Sequence, residues 1–259
     1  MAHCPRFPSV AFFLTRPSCP QVLFCAPPSG SADYGGEVAL AAREFWSRRG
    51  PFVFTSSTAV YVDANTVDER SPTHAPGTYP RADPLLKAEA AARAAGGAVL
   101  RLAGLYSLRR GAHSYFLAQR SVPAHGDGLV NLLSYDDAAA GCVAALSMPG
   151  APRDAPDAPP GGDSAAQQPA WAGATWLLSD GAPTSRRDIV NACLRSGLFV
   201  DAPASAAVGA GGGGEGPEWT GAPAAGGDRV VECSATRAAL GWAPSHASFA
   251  QYLESQPRG

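Results

Sequence analysis

Residues 52–61 read FVFTSSTAVY. Pro51 opens the stretch, and Phe52, Val53 and Phe54 make a continuous apolar run of the kind a strand buried on both faces requires. The run ends in four hydroxyl residues, Thr55, Ser56, Ser57 and Thr58. In open α/β sheets, ligands sit beyond the carboxyl ends of the strands, where hydroxyls can hold a carbonyl or hydroxyl of a substrate. The other reading is a turn whose hydroxyls cap backbone amides. The pattern alone supports both.

Working outward, strand and helix signals alternate. Residues 22–26 (VLFCA), closed by Pro27 and Pro28, read as a central parallel strand. Residues 37–46 carry helical apolar spacing (Val38, Leu40, Ala41, Phe45) and stop at Arg48, Arg49 and Gly50. Residues 84–95 read as a helix with Pro84 near its first turn, ended by Gly96 and Gly97. Residues 98–102 are a third strand, residues 136–146 a helix with acids in its first turn, and residues 175–178 a fourth strand. Ser185 caps a helix over 185–196, with Gly197 after it. Residues 229–232 read as a short strand, and Ser234 caps a short helix ending at Gly241. Such alternation predicts an α/β fold, a parallel sheet covered by helices.

Composition bounds the function. The 259 residues include 20 basic and 22 acidic side chains, a balance that speaks against a nucleic-acid-binding footprint. No apolar run approaches the roughly 18 residues of a membrane span. Residues 149–170 and 202–227 are rich in Pro, Ala, Asp and Gly and read as flexible surface loops. Residues 1–20 hold two arginines and no acid, an atypical start that reads either as transit-like or as unrelated sequence mispredicted as coding, rather than as a secretory signal. The six cysteines include no CxxC pair, and Cys25 and Cys193, inside apolar runs, are expected to be buried free thiols. His3, His74, His125 and His246 lack metal-type spacing, so no metal is expected. Trp171, Trp176, Trp219 and Trp242 read as packing residues. Asp136 and Asp137, adjacent on a helix, read as N-terminal capping acids rather than a catalytic pair. Arg109, Arg110 and His113 form either an anion clamp with an acid–base group or a solvated basic turn.

The ordered wording VLFCAPP, FVFTSSTAVY, LLKAE, LRLAGLY, DGLVNLLSYDDAA and SATRAALGWAP resembles the atypical or extended short-chain dehydrogenases/reductases, the NAD-dependent epimerase/dehydratase group. It is most similar to plant and algal plastid NAD(P)-binding Rossmann-fold proteins. The likeness runs over residues 22–253. It implies a partial doubly wound Rossmann sheet, entered at its fourth strand, with a small interleaved C-terminal α/β substrate lobe within 21–259. It also implies NAD or NADP as cofactor, a sugar nucleotide or similar small molecule as substrate, and a plastid location, the alternative being cytoplasmic. By this resemblance Ser57 matches the family's catalytic Ser/Thr. Cys25, Ala26, Pro27, Ser56, Leu102, Ala103 and Leu105 fall at cofactor-contacting positions. Thr58, Arg109, Arg110 and His113 fall where the substrate is gripped. Asp137 matches a structural acid, and residues 234–242 match a segment that packs on the substrate lobe.

Two departures qualify the likeness. The family places a Tyr, and a Lys four residues later, on the LLKAE helix to move a proton and hold the nicotinamide ribose. Aligned on Glu89, these positions hold Arg81 and Leu85. Tyr79 is followed four residues on by Asp83, and Lys87 lies on another helix face. The family also opens with a glycine-rich turn after its first strand. Nothing before Val22 supplies it, and the one spacing match, residues 209–214, follows Ala-rich filler rather than a strand. The resemblance therefore sets three expectations: an enzyme, a dinucleotide-sensing or scaffold protein without hydride chemistry, or a fragment lacking the first three strands that binds no cofactor.

Overall fold

The structure is a computed structural model that describes residues 18–150, 168–199, 216–223 and 228–257. Its centre is a four-stranded parallel sheet of β1 (Val22–Phe24), β2 (Phe52–Ser57), β4 (Ala98–Leu102) and β9 (Thr175–Leu178), in the order β1-β2-β4-β9. Val53 pairs with Ala98 and Val99 with Thr175, so the two apolar runs lie side by side in the middle of the sheet. Helices α1 (Tyr34–Phe45) and α2 (Asp83–Ala94) pack together over the face on which Phe54, Ser56 and Arg101 point. Helix α4 (Tyr135–Leu146) covers the other face. It lies so close that a Cβ on Gly141 would stand 2.2 Å from a Leu178 methyl.

A second apolar cluster, with Tyr106, Leu132, Ile189, Cys193 and Phe249 at its heart, forms the smaller lobe. It is built from α3 (Ala112–Ala118), α5 (Arg186–Ser196) and α7 (Phe249–Glu254). Short strand pairs knit it together. β5 (Gly104–Tyr106) runs parallel to β8 (Leu132–Ser134), and β6 (Ser121–Val122) to β11 (Glu218–Trp219). β7 (Leu129–Val130) is antiparallel to β10 (Thr184–Ser185). β3 (Thr66–Val67) pairs in parallel with β12 (Val230–Val231), which leads into α6 (Ser234–Leu240). No helix among the described residues is long and apolar enough to cross a membrane.

Several expectations are met and others corrected. The strands at 52, 98 and 175 and the helices at 84, 136 and 185 form where the apolar periodicity puts them. Ser185 accepts the Asp188 amide, and Gly197 closes α5 in the left-handed region at φ 69°. Trp171, Trp176 and Trp242 are buried in the main core, and Trp219 packs against the second cluster. β1, read as a central strand, is an edge strand among the described residues, half-buried along its length. Cys25, just past its end, is exposed rather than buried, because nothing described packs over that edge; Cys193 is buried as expected. Ser234 is the first residue of α6 rather than its cap, and the Glu232 carboxylate accepts the Ser234 amide at 2.8 Å instead. Within residues 202–227, Glu218 and Trp219 form a strand rather than loop. The remainder of that stretch that is described, 216–223, runs beside β6, while 201–215 and 224–227, including the glycine match at 209–214, lie outside the described residues. So do residues 1–17 and 151–167.

Candidate functional site

The carboxyl end of β2 separates its hydroxyls by strand alternation. Ser56 points to the helix-covered face. Its Oγ donates to Glu89 Oε1 at 2.6 Å. Glu89 is fully buried on α2 and also accepts from Arg101 of β4, whose Nε and Nη2 reach its two oxygens at 3.0 and 2.7 Å. Arg93 adds a bond at 3.0 Å. Burial pushes the Glu89 carboxyl up, but the Arg101 and Ser56 bonds and the Arg93 charge outweigh it and hold the group below its ordinary value. Tyr61 lies beneath this pair, fully buried, with the Arg101 guanidinium 4.6 Å from its ring centre.

Ser57 points the other way, into a cleft of about 590 Å³ between the sheet and the smaller lobe. Its Oγ accepts the Ala59 amide at 3.2 Å, which starts a 3-10 turn over Thr58–Val60. The lone-pair side of the hydroxyl is thus engaged by the chain, and the O–H is available to donate outward. Thr58, Asp63, Gly104, His125, Leu129, Asn131, Arg186, Asp228 and Arg229 complete the walls. Arg229 holds the wall after Ser57: it donates to the Thr58, Tyr61 and Val62 carbonyls and meets Asp63 Oδ1 at 3.0 Å. Asn131 joins the two sides, donating to the Arg229 carbonyl and accepting the Val231 amide. Asp228 accepts the Leu129 amide at 2.8 Å.

The structure gathers some expected site residues here and places others elsewhere. Ser57 and Thr58 line the cleft. Ser56, placed with the cofactor set, faces the buried ion pair instead. Cys25, Ala26 and Pro27 are exposed past the end of β1. Leu102 and Leu105 pack against the main core, and Ala103 is buried within it. Arg109 and Arg110 are exposed outside the cleft, with the Arg110 guanidinium 5.9 Å from the Tyr135 ring centre. His113 is 1% exposed, between Phe199 and Phe249, and burial depresses its pKa below the usual histidine value against the pull of the Leu108 carbonyl. It is a packed core histidine in this fold. Leu85 rests against the main core in the first turn of α2, and Arg81 is exposed in the turn before that helix. Asp137 accepts the Ser134 hydroxyl and the Ser245 amide and hydroxyl, so it both opens α4 and ties down the chain before α7. Sequence reasoning passed over Asp63, Asn131, Arg186 and Arg229. Their only signal is polarity beside short apolar runs, and their convergence depends on pairings such as Val230 with Thr66.

No family model and no curated protein sequence matches this chain. Solved structures do. A conserved protein of unknown function from Silicibacter pomeroyi is similar over 96% of this chain and 79% of its own, at 19% identity and a TM-score of 0.61. UDP-glucuronic acid 4-epimerase from Bacillus cereus, in complex with NAD, matches 86% of this chain and 64% of its own, at 14% identity and a TM-score of 0.61. dTDP-glucose 4,6-dehydratase from Bacillus anthracis, in complex with NAD, matches 90% and 70%, at 12% identity and a TM-score of 0.61. The fold is therefore Rossmann-like. At these identities the likeness shows the fold alone.

The dinucleotide of those neighbours can be tested against the residues present. Its diphosphate needs free backbone amides at a helix N-terminus. Three of the four longer helices open on a carboxylate. Asp33 accepts the Gly36 amide in α1, with Glu37 beside it. Asp83 and the imide Pro84 open α2. Asp136 and Asp137 open α4. Like charge repels a diphosphate at these three helices. At α5, Asp188 of the first turn is outnumbered by Arg186 and Arg187. Among the described residues α1, α2 and α4 offer no diphosphate cradle.

Proposed function

We propose that this chain binds a sugar nucleotide, or a similar small polar metabolite, in the cleft beyond β2, and does so without hydride transfer. The observation that carries the reading is the Ser57 hydroxyl on the cleft wall; by the family resemblance, Arg81 and Leu85 stand where a Tyr and a Lys would transfer the proton. Ser57 orients a ligand oxygen by donating to it, Thr58 adds a second hydroxyl, and the loop held by Arg229 keeps both in place. Tyr61 does not substitute for the missing phenol: it is fully buried, and burial raises its pKa above the ordinary tyrosine value. The sugar-nucleotide class is supported by the neighbours of the same fold, an epimerase of UDP-glucuronic acid and a dehydratase of dTDP-glucose.

A second reading is a nicotinamide-dependent oxidoreductase or epimerase, favoured by the exposed strand end at Cys25, Ala26 and Pro27. One experiment separates the two. The full chain is titrated calorimetrically with UDP-, dTDP- and GDP-linked sugars, and the same mixtures with NAD and NADP are followed by nicotinamide absorbance. Saturable binding with constant absorbance is the expected result. Absence of binding to every sugar nucleotide overturns the proposal, and turnover of the nicotinamide replaces it with the second reading.

A further inference from the structure

We infer that Arg186 is the anion anchor of the cleft, taking a phosphate-class oxyanion of the ligand whose neutral end reaches Ser57. This rests on the sugar-nucleotide reading of the same cleft. Arg186 is the first residue of α5, and its side chain lines the cleft. A cation at that position adds to the positive end of the helix dipole, where an acid is the stabilising choice. The neighbouring Arg187 is neutralised, its Nε meeting Asp127 Oδ1 at 2.9 Å. Arg186 has no carboxylate within 4.0 Å among the described residues. Of its five N–H donors, one bond is made, Nη1 to the His125 carbonyl at 3.3 Å.

The guanidinium lies against a glycine of the facing loop: a Cβ on Gly128 would stand 1.9 Å from Arg186 Nη1, so a side chain there would displace the guanidinium from this position. The Arg186 amide donates to the Gly128 carbonyl at 3.1 Å, which fixes the start of the helix against the same loop. The other arginine of the cleft cannot serve in its place. Arg229 is committed to Asp63 and three backbone carbonyls, and breaking those bonds would release the loop that carries Thr58. Arg109 and Arg110, the sequence-based choices for an anion grip, lie outside the cleft. A planar fork with unused donors is the group that recognises phosphate oxygens in pairs.

The test is calorimetric titration of the full chain with UDP-glucose at low and high potassium chloride, for wild type, Arg186→Gln and Arg186→Lys. Wild-type affinity is expected to fall as salt rises. Arg186→Gln is expected to lose about tenfold or more in affinity and to flatten that salt dependence, with Arg186→Lys in between. Binding by wild type that Arg186→Gln leaves unchanged overturns the anchor and leaves the cleft reading standing. Absence of wild-type binding overturns both. Should Arg186→Gln fail to fold, the salt dependence of wild type decides alone, and a salt-independent affinity overturns the anchor.

Discussion

Ser56 and Ser57 are neighbours in sequence and belong to opposite regions of the molecule. Ser56 closes a buried ion pair in which Glu89 is 0% and Arg101 4% exposed. Ser57 borders a cleft whose arginines are solvent-accessible. The buried region spends every oxygen of Glu89 on three donors, Ser56, Arg93 and Arg101. The cleft leaves donors of Ser57 and Arg186 unspent. Saturated polar groups hold a fold together, and unsaturated ones at an opening are available for a ligand. On this comparison, changes in the buried region cost stability, and changes in the cleft cost binding.

The largest effect is expected at the ion pair. Arg101→Met leaves Glu89 buried without its bidentate partner and should cost about 3–5 kcal/mol in chemical denaturation. The double change Glu89→Leu with Arg101→Met should recover most of that loss, because the uncompensated charge is gone. A full cost retained in the double variant would show that shape rather than charge dominates there.

Asp180 comes next. It lies between β9 and β10, buried, with Oδ1 accepting the Ala182 amide and Oδ2 without a partner among the described residues. Burial raises its pKa from 3.8 to about 7. A raised carboxyl favours the neutral form in the folded state. Its penalty is therefore absent below the unfolded value, grows as pH rises from 3.8 to about 7, and is complete above that. Asp180→Asn should remove this slope and gain roughly 2–4 kcal/mol above neutral pH. An unchanged pH profile of the melting temperature would contradict it.

The smallest effects draw the comparison most finely. Ser56→Ala should cost about 1–2 kcal/mol of stability, since Glu89 loses a donor. Ser57→Ala should cost less, about 0.5–1 kcal/mol, since only the cap on the Ala59 amide is lost. Its effect should appear as a five- to tenfold loss of UDP-glucose affinity, roughly one hydrogen bond. Equal stability losses in the two variants would dissolve the distinction between the faces of β2.

Much of the scaffold was legible in the sequence. FVF before TSST, AVLRL after two glycines and TWLL each carry enough apolar density to specify a buried strand by local pattern. Ser57 was legible because it ends such a strand. Ser56 was misplaced because period-two alternation names two faces without saying which one a buried carboxylate occupies. His113 was read from its basic neighbours, yet the ring packs between Phe199 and Phe249, residues that only the folded chain brings near. The cleft walls were illegible for the same reason. Arg229 meets the Thr58 carbonyl across 171 positions, and the strands that bring them together are two residues long. No local pattern encodes such a pairing.

The most direct test of the account is an amide NMR titration of the full chain with UDP-glucose. The expected shift changes cluster at Ser57 to Ala64, at His125 to Asn131, at Arg186 and at Asp228 and Arg229, with Arg109 to His113 unmoved. Changes centred on Arg109 to His113, or none anywhere, would contradict the assignment of the cleft.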